Sequence, residues 1–206
     1  MIYGLTYKSS KGHVLKIMDG DRRKIEPVED GFEWFNGGDF ALHPDGLILR
    51  KNAMTCGARL DTTHLPKLIR WNGNQLYDYE YTWNSSIVSE RFMSIVEALE
   101  PGLHQFEPVE VRRTDGSLVA KYFWFFPLVR LDCMDRERTT HTLVNDGRFW
   151  KSNSGAIFVV NLSQVGHHHV WIDPRTSQPA FVSETFKTAM EDAGITGAGY
   201  FPYETV

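Results

Sequence analysis

Cysteine is nearly absent from this 206-residue chain: only Cys56 and Cys133 occur, far apart and outside any Cys-x-x-Cys arrangement. That excludes a disulfide-stapled framework and a cysteine-based zinc site, and leaves buried, reduced thiols in a cytosolic protein as the expectation. Long apolar runs are missing too. No segment approaches the ~20 apolar residues that span a bilayer, and the opening strand-like stretch Met1–Tyr7 soon meets Lys8 and Lys11, too early for a signal peptide. The chain is therefore expected in the cytoplasm with no membrane partner. Positive charge is also short, with Lys plus Arg at 22 against Asp plus Glu at 26 and a net charge of −4. A protein that grips nucleic acid by its phosphates needs the opposite balance. No Pro/Ser-rich linker breaks the chain, so one domain over 1–206 is expected.

Catalytic signatures are equally scarce. Ser154-Gly155 lacks a G-x-S-x-G setting, no H-E-x-x-H occurs, and the glycines from Gly194 to Gly199 close a helix rather than opening one around a phosphate. No cofactor is implied, and the chain reads as a non-enzyme.

What is present is a repeat. Val88-Ser89-Glu90-Arg91-Phe92 returns 94 positions later as Val182-Ser183-Glu184-Thr185-Phe186. The echo continues through Glu97 and Glu191, Phe106 and Tyr200, Pro108 and Pro202, and Glu110 and Glu204. Phe92, Ile95, Val96 and Leu99 fall at i, i+3, i+4 and i+7, as do Phe186, Ala189, Met190 and Ala193. Each set is one face of an amphipathic helix. The preceding Ser is placed to cap the N-terminus, with Glu near the positive end of the dipole. Pro101-Gly102 and Gly194 mark the stops, and a proline-bearing aromatic segment follows each helix. The unit reads as capped helix, turn, extended segment, used twice.

The rest is mostly β. Ile2–Tyr7 and His13–Met18 read as strands joined in a hairpin through Ser9–Gly12. Leu76–Trp83 is a run of aromatics and acids, and Phe106–Arg112 and Leu118–Val129 form a hairpin across Thr114–Ser117, with Pro127 ending or bulging the second strand. With no regular βαβ alternation, the class is α+β: a mixed, largely antiparallel sheet with a duplicated capped-helix/strand unit. Residues 71–206 form the body and 1–70 a β-rich N-terminal elaboration.

That elaboration holds an acidic stretch. From Asp19 to Asp45 eight carboxylates stand against Arg22, Arg23 and Lys24, with Phe32, Trp34, Phe35 and Phe40 among them. Residue by residue, aromatics that pin a loop and acids that are merely solvated are sufficient. Together they also suit a contact surface for a cationic partner, and Asp19, Asp21, Glu29, Asp30, Phe32, Glu33, Trp34 and Asp39 are the candidates.

Two further clusters carry groups capable of chemistry. On a strand, His167 and His169 would share a face and could co-ligate a metal, but no third ligand is evident and a surface His cluster is the simpler reading. Asp132 and Asp135 could pair for acid–base work, yet Arg130, Arg136 and Arg138 beside them favour salt-bridged loop residues.

The order of four features, namely the Val88-Ser89-Glu90 helix, the Tyr122–Asp135 strand running into Leu-Asp-Cys-Met-Asp, His168-His169-Val170-Trp171, and the Val182-Ser183-Glu184 helix ending in Gly194-Ile195-Thr196-Gly197, resembles a bacterial family once classed as a domain of unknown function. That family is grouped with the immunity proteins of polymorphic toxin and secreted-effector systems. The resemblance covers roughly Trp71 to Val206. It implies a non-enzymatic protein that binds and neutralises a cognate protein toxin. The alternatives are a metal-dependent module on His167 and His169 and a dimerisation or scaffold module, the latter allowing a homodimer.

Overall fold

The computed structural model describes residues 1–8, 14–21, 24–28, 33–34, 40–42, 48–50 and 53–206. Its strands are β1 (Ile2–Tyr7), β2 (Val14–Ile17), β3 (Glu33–Trp34), β4 (Phe40–Leu42), β5 (Ile48–Arg50), β6 (Leu68–Asn72), β7 (Tyr79–Thr82), β8 (Ser85–Ser89), β9 (Gln105–Arg112), β10 (Leu118–Phe126), β11 (Thr142–Val144), β12 (Phe149–Lys151), β13 (Val159–Val160), β14 (Val170–Trp171), β15 (Phe181–Ser183) and β16 (Ala198–Thr205). The helices are α1 (Glu90–Leu99), α2 (Leu162–Val165) and α3 (Glu184–Asp192). The class is the expected one: mixed α and β, with mostly antiparallel sheets.

Local chemistry builds the two long helices alike. Ser89 and Ser183 both hold extended backbone, and their hydroxyls accept from the N–H groups of Phe92 and Phe186 at 3.3 and 3.1 Å. Each cap satisfies one orphan donor and contributes about 1 kcal/mol. The apolar stripe of each helix then buries Phe92 with Val96, and Phe186 with Met190.

The duplication extends beyond these helices into the sheets. One sheet runs β2-β6-β9-β10-β8-β7 and the other β13-β16-β1-β15-β14. In the first, Tyr122 lies between Ser89 and Val109, and Phe123 between Val88 and Pro108. In the second, Ile2 lies between Ser183 and Tyr203, and Tyr3 between Val182 and Pro202. Every flanking residue of the second set stands 94 positions after its counterpart. The flanks agree as well: β6 joins β9 in parallel with Leu68 opposite Glu110, and β13 joins β16 in parallel with Val159 opposite Glu204. Likewise Tyr79 pairs with Val88, and Val170 with Val182. Leaving aside β2, which adds a sixth strand at the edge of the first sheet, both halves are five strands around one helix, with a central strand inserted between the two that the helix connects. That strand is β10 in the first half. In the second it is β1, from the other end of the chain.

This pairing corrects one expectation. Ile2–Tyr7 and Val14–Ile17 are both strands, but they do not form a hairpin. β1 pairs with β15 and β16, while β2 pairs with β6 in the other sheet. The gap between β15 and β16, each offering a free edge on both sides of α3, takes β1 and outcompetes the short-range pairing. Residues 9–13, the expected turn, lie outside the described residues.

Alternation along the strands makes three cores. One face of each sheet and both helices share a core of Tyr3, Leu5, Val88, Phe92, Val96, Phe125, Val182, Phe186 and Met190. Phe92 and Phe186 meet there edge to face at 5.9 Å, each fully buried. The opposite faces are covered by unrelated parts of the chain. Trp124, Ile87 and Ile69 pack beneath Ile25, Met54, Leu60 and Leu65. Ile2, Phe181 and Trp171 pack beneath Cys133, Trp150, Phe158 and Val165.

Candidate functional site

Where the halves meet, two buried carboxylates join them. Asp78 stands just before β7, and its carboxylate accepts from the Ser89 hydroxyl at 2.7 Å and from the Thr196 N–H and hydroxyl at 3.0 and 2.7 Å. Burial would raise its pKa, but the bonds from Thr196 and Ser89 outweigh that and hold it low. The first half thereby grips the loop that follows α3. Gly197 completes the junction. At φ +85°, a region closed to most side chains, it runs so close under the Tyr79 carbonyl and the Tyr77 side chain that a Cβ would collide with both.

The second junction reverses the roles. Glu100 ends α1, and its carboxylate accepts from the N–H groups of His169 and Val170, both at 2.9 Å. It also contacts His104 Nε2 at 2.9 Å and His168 Nδ1 at 3.2 Å. The Leu128 N–H donates to His104 Nδ1 at 3.3 Å, which leaves Nε2 as the protonated nitrogen that donates to Glu100. Burial opposes ionisation of Glu100, yet the His104 bond and the His169 N–H hold its pKa down at about 2. His169 repeats the part of Asp78. It occupies the equivalent position before its strand, and its Nδ1 meets the Ser183 hydroxyl at 2.8 Å.

These contacts account for the histidines differently from the metal reading. The strand begins at Val170, so His167 and His169 lie in the preceding turn and do not share a strand face. His169 supports a helix cap, His168 pairs with Glu100, and His167 stacks on His168 at 4.7 Å. Among the described residues no group of three or more His, Cys, Asp or Glu is arranged to hold a metal. Asp132 forms an ion pair with its neighbour Arg136 at 3.1 Å, as the sequence suggests, and a shorter one at 2.8 Å with the distant Arg175. Asp135 accepts from the Glu137 and Arg138 backbone.

In the sequence Asp173 reads only as half of an Asp-Pro turn. It is fully buried, accepts from the backbone of Cys133 and Arg175 at 3.1 and 2.8 Å, and lies 3.6 Å from Cys133 Sγ. Burial lifts its pKa to about 7, and the nearby Asp132 charge adds to the lift. Both cysteines are buried and unpaired with one another.

A cavity of about 330 Å³ opens where the equivalent ends of the two central strands run out. Its walls come in matched pairs from the two halves: Leu5 with Phe125, Thr6 with Phe126, Tyr81 with Ile172, and Ser86 with Ala180. Met54 and Ala58 add a wall from the N-terminal region. The cavity therefore straddles the internal pseudo-two-fold relation. Deep in it the Ser86 hydroxyl donates to the Tyr79 hydroxyl at 2.8 Å, and burial raises the Tyr79 pKa to about 12. At its mouth Tyr7 and Tyr81 stack 4.8 Å apart with rings 5° from parallel, 51% and 43% exposed.

The candidates from the acidic stretch are distributed otherwise. Asp19 is exposed, but its carboxylate accepts from the N–H groups of Lys67 and Leu68 at 3.1 Å and so orders the entry to β6. Asp21 donates its N–H to the His64 carbonyl at 3.0 Å. Glu33 and Trp34 form β3, which pairs with β4. Glu29, Asp30, Phe32 and Asp39 lie outside the described residues.

A family model described as immunity protein family (Imm11) matches residues 21–205. The match takes in most of the chain and begins fifty residues before the stretch that carried the resemblance. No curated protein matches the chain.

Proposed function

Because the chain belongs to the Imm11 immunity protein family, we propose that it binds a cognate protein toxin and neutralises it by occlusion, with no chemistry of its own. The observation that carries this reading is the family match over residues 21–205, which takes in the acidic stretch from Asp21 onward and the duplicated body apart from its strand β1. The use made of the titratable groups supports it. The described carboxylates Asp78, Glu100 and Asp173 hold backbone amides, His104 accepts from the Leu128 N–H, His169 supports the Ser183 cap, and His168 pairs with Glu100. Such groups fix the fold and do not converge on the cavity.

The acidic stretch gives the association its electrostatics. A toxin that acts on nucleic acid has a basic cleft, and carboxylates around Asp21, Glu29, Asp30, Glu33 and Asp39 would meet it as phosphate mimics, with Phe32 and Trp34 as apolar contacts. Asp19 is partly committed to the β6 amides and contributes less.

The test is co-expression with the product of the neighbouring gene as candidate toxin, scored by growth rescue and by isolation of a stoichiometric complex. Failure of both ends the immunity reading. With a complex in hand, Glu29→Lys, Asp30→Lys and Glu33→Lys together should lower the association rate about tenfold at low salt and flatten its salt dependence. An unchanged rate would remove the acidic stretch from the interface.

A further inference from the structure

We propose that the cavity on the pseudo-two-fold axis is the anchor pocket of the toxin interface and receives an uncharged aromatic side chain from the toxin. This rests on the immunity reading and says where, and by what chemistry, the partner is held.

Charge match selects the occupant. Charged residues make up 23% of the chain, yet none of the described residues lining the cavity is Asp, Glu, Lys, Arg or His. A carboxylate, phosphate or ammonium entering it would shed water and find no counter-charge. An uncharged ring loses nothing there and gains the apolar walls of Leu5, Met54 and Phe125. Size agrees. At about 330 Å³ the space lies at the small end of the ~300–1,000 Å³ range of ligand pockets, suited to one or two side chains rather than a nucleotide.

The mouth has the character of a protein interface. Tyr7 and Tyr81 offer rigid, amphipathic faces already stacked on each other, so little side-chain entropy is lost when a partner covers them. Met54 and Ala58, which form one wall, stand just after the acidic stretch in the chain.

Ala180→Leu fills the space from the second half, and Tyr81→Ala removes half of the stacked rim. Binding of each variant to the co-expressed toxin is measured by biolayer interferometry, with thermal melting as the check on folding. In parallel, indole and benzoate are titrated into the free protein and followed by methyl NMR at Leu5 and Met54. Ala180→Leu should weaken toxin binding at least ~30-fold, mostly through faster dissociation, and Tyr81→Ala about tenfold. Indole should shift the Leu5 and Met54 signals of the wild type, and benzoate should not. If Ala180→Leu does not fold, Tyr81→Ala alone carries the test. Toxin binding within threefold of wild type in a correctly melting variant overturns the proposal. Loss of indole binding with toxin binding intact also overturns it, marking a small-ligand pocket instead. A wild type that binds indole but never the toxin refutes the immunity reading itself and the proposal with it.

Discussion

Replacing Glu100 by Gln removes one charge and changes nothing in size. The carboxylate serves four donors: His104, His168 and the backbone N–H groups of His169 and Val170. A carboxamide offers one oxygen and turns an NH2 group toward the remaining donors. At least one buried N–H then loses its acceptor, at a cost of about 1–3 kcal/mol, and the surviving bonds lose charge assistance. The expected total is about 2–3 kcal/mol, or roughly 4–12 °C in Tm for a domain of this size. The pH dependence carries a second signature. The folded pKa is depressed from 4.5 to about 2, so this stability is present above pH ~4.5 and is lost as pH falls through ~2. Urea unfolding of wild type and Glu100→Gln should therefore show a constant gap from pH 7 to 5 that closes toward pH 2–3. A gap below ~0.5 kcal/mol at pH 7, or one that does not narrow in acid, refutes the claim that this carboxylate joins the two halves.

Three further outcomes follow from the same architecture. Phe92→Ala and Phe186→Ala should each cost about 3–5 kcal/mol in chemical denaturation, as truncation of a buried Phe does; a surface-like cost at either would break their equivalence. Gly197→Ala combines a positive φ with a collision against the Tyr79 carbonyl and should lower Tm by roughly 5 °C or more, whereas Gly102→Ala, also at positive φ but with open space around it, should do much less. Asp173 has a raised folded pKa of about 7, so its contribution is complete below pH ~4 and is lost as pH rises through 7. Wild type should lose stability relative to Asp173→Asn by up to about 4 kcal/mol between pH 4 and 8, and parallel pH profiles would show that Asp173 is not neutralised by its site.

The two capped helices were legible from the residues because everything that makes them is local. The Ser hydroxyl and the N–H that donates to it are three positions apart, the apolar stripe repeats within ten residues, and glycine ends each turn. The β9–β10 hairpin is local for the same reason, and β10 stops at Phe126, just before Pro127. The 94-residue echo already told that one unit is used twice.

What that unit contains was decided by tertiary structure. No short-range pattern says that Ile2 belongs beside Ser183 in the place Tyr122 holds beside Ser89; only the open edges flanking α3 make that position the favourable one. The roles of Asp78, Glu100 and the histidines came late for a related reason. A carboxylate in a sequence is solvated until a distant backbone amide is brought to it, and His169 reads as one of a surface cluster until Ser183 reaches its ring. The cavity depends furthest on the assembled fold, since its walls are strand ends from both halves that adjoin only after two copies of one unit have packed face to face.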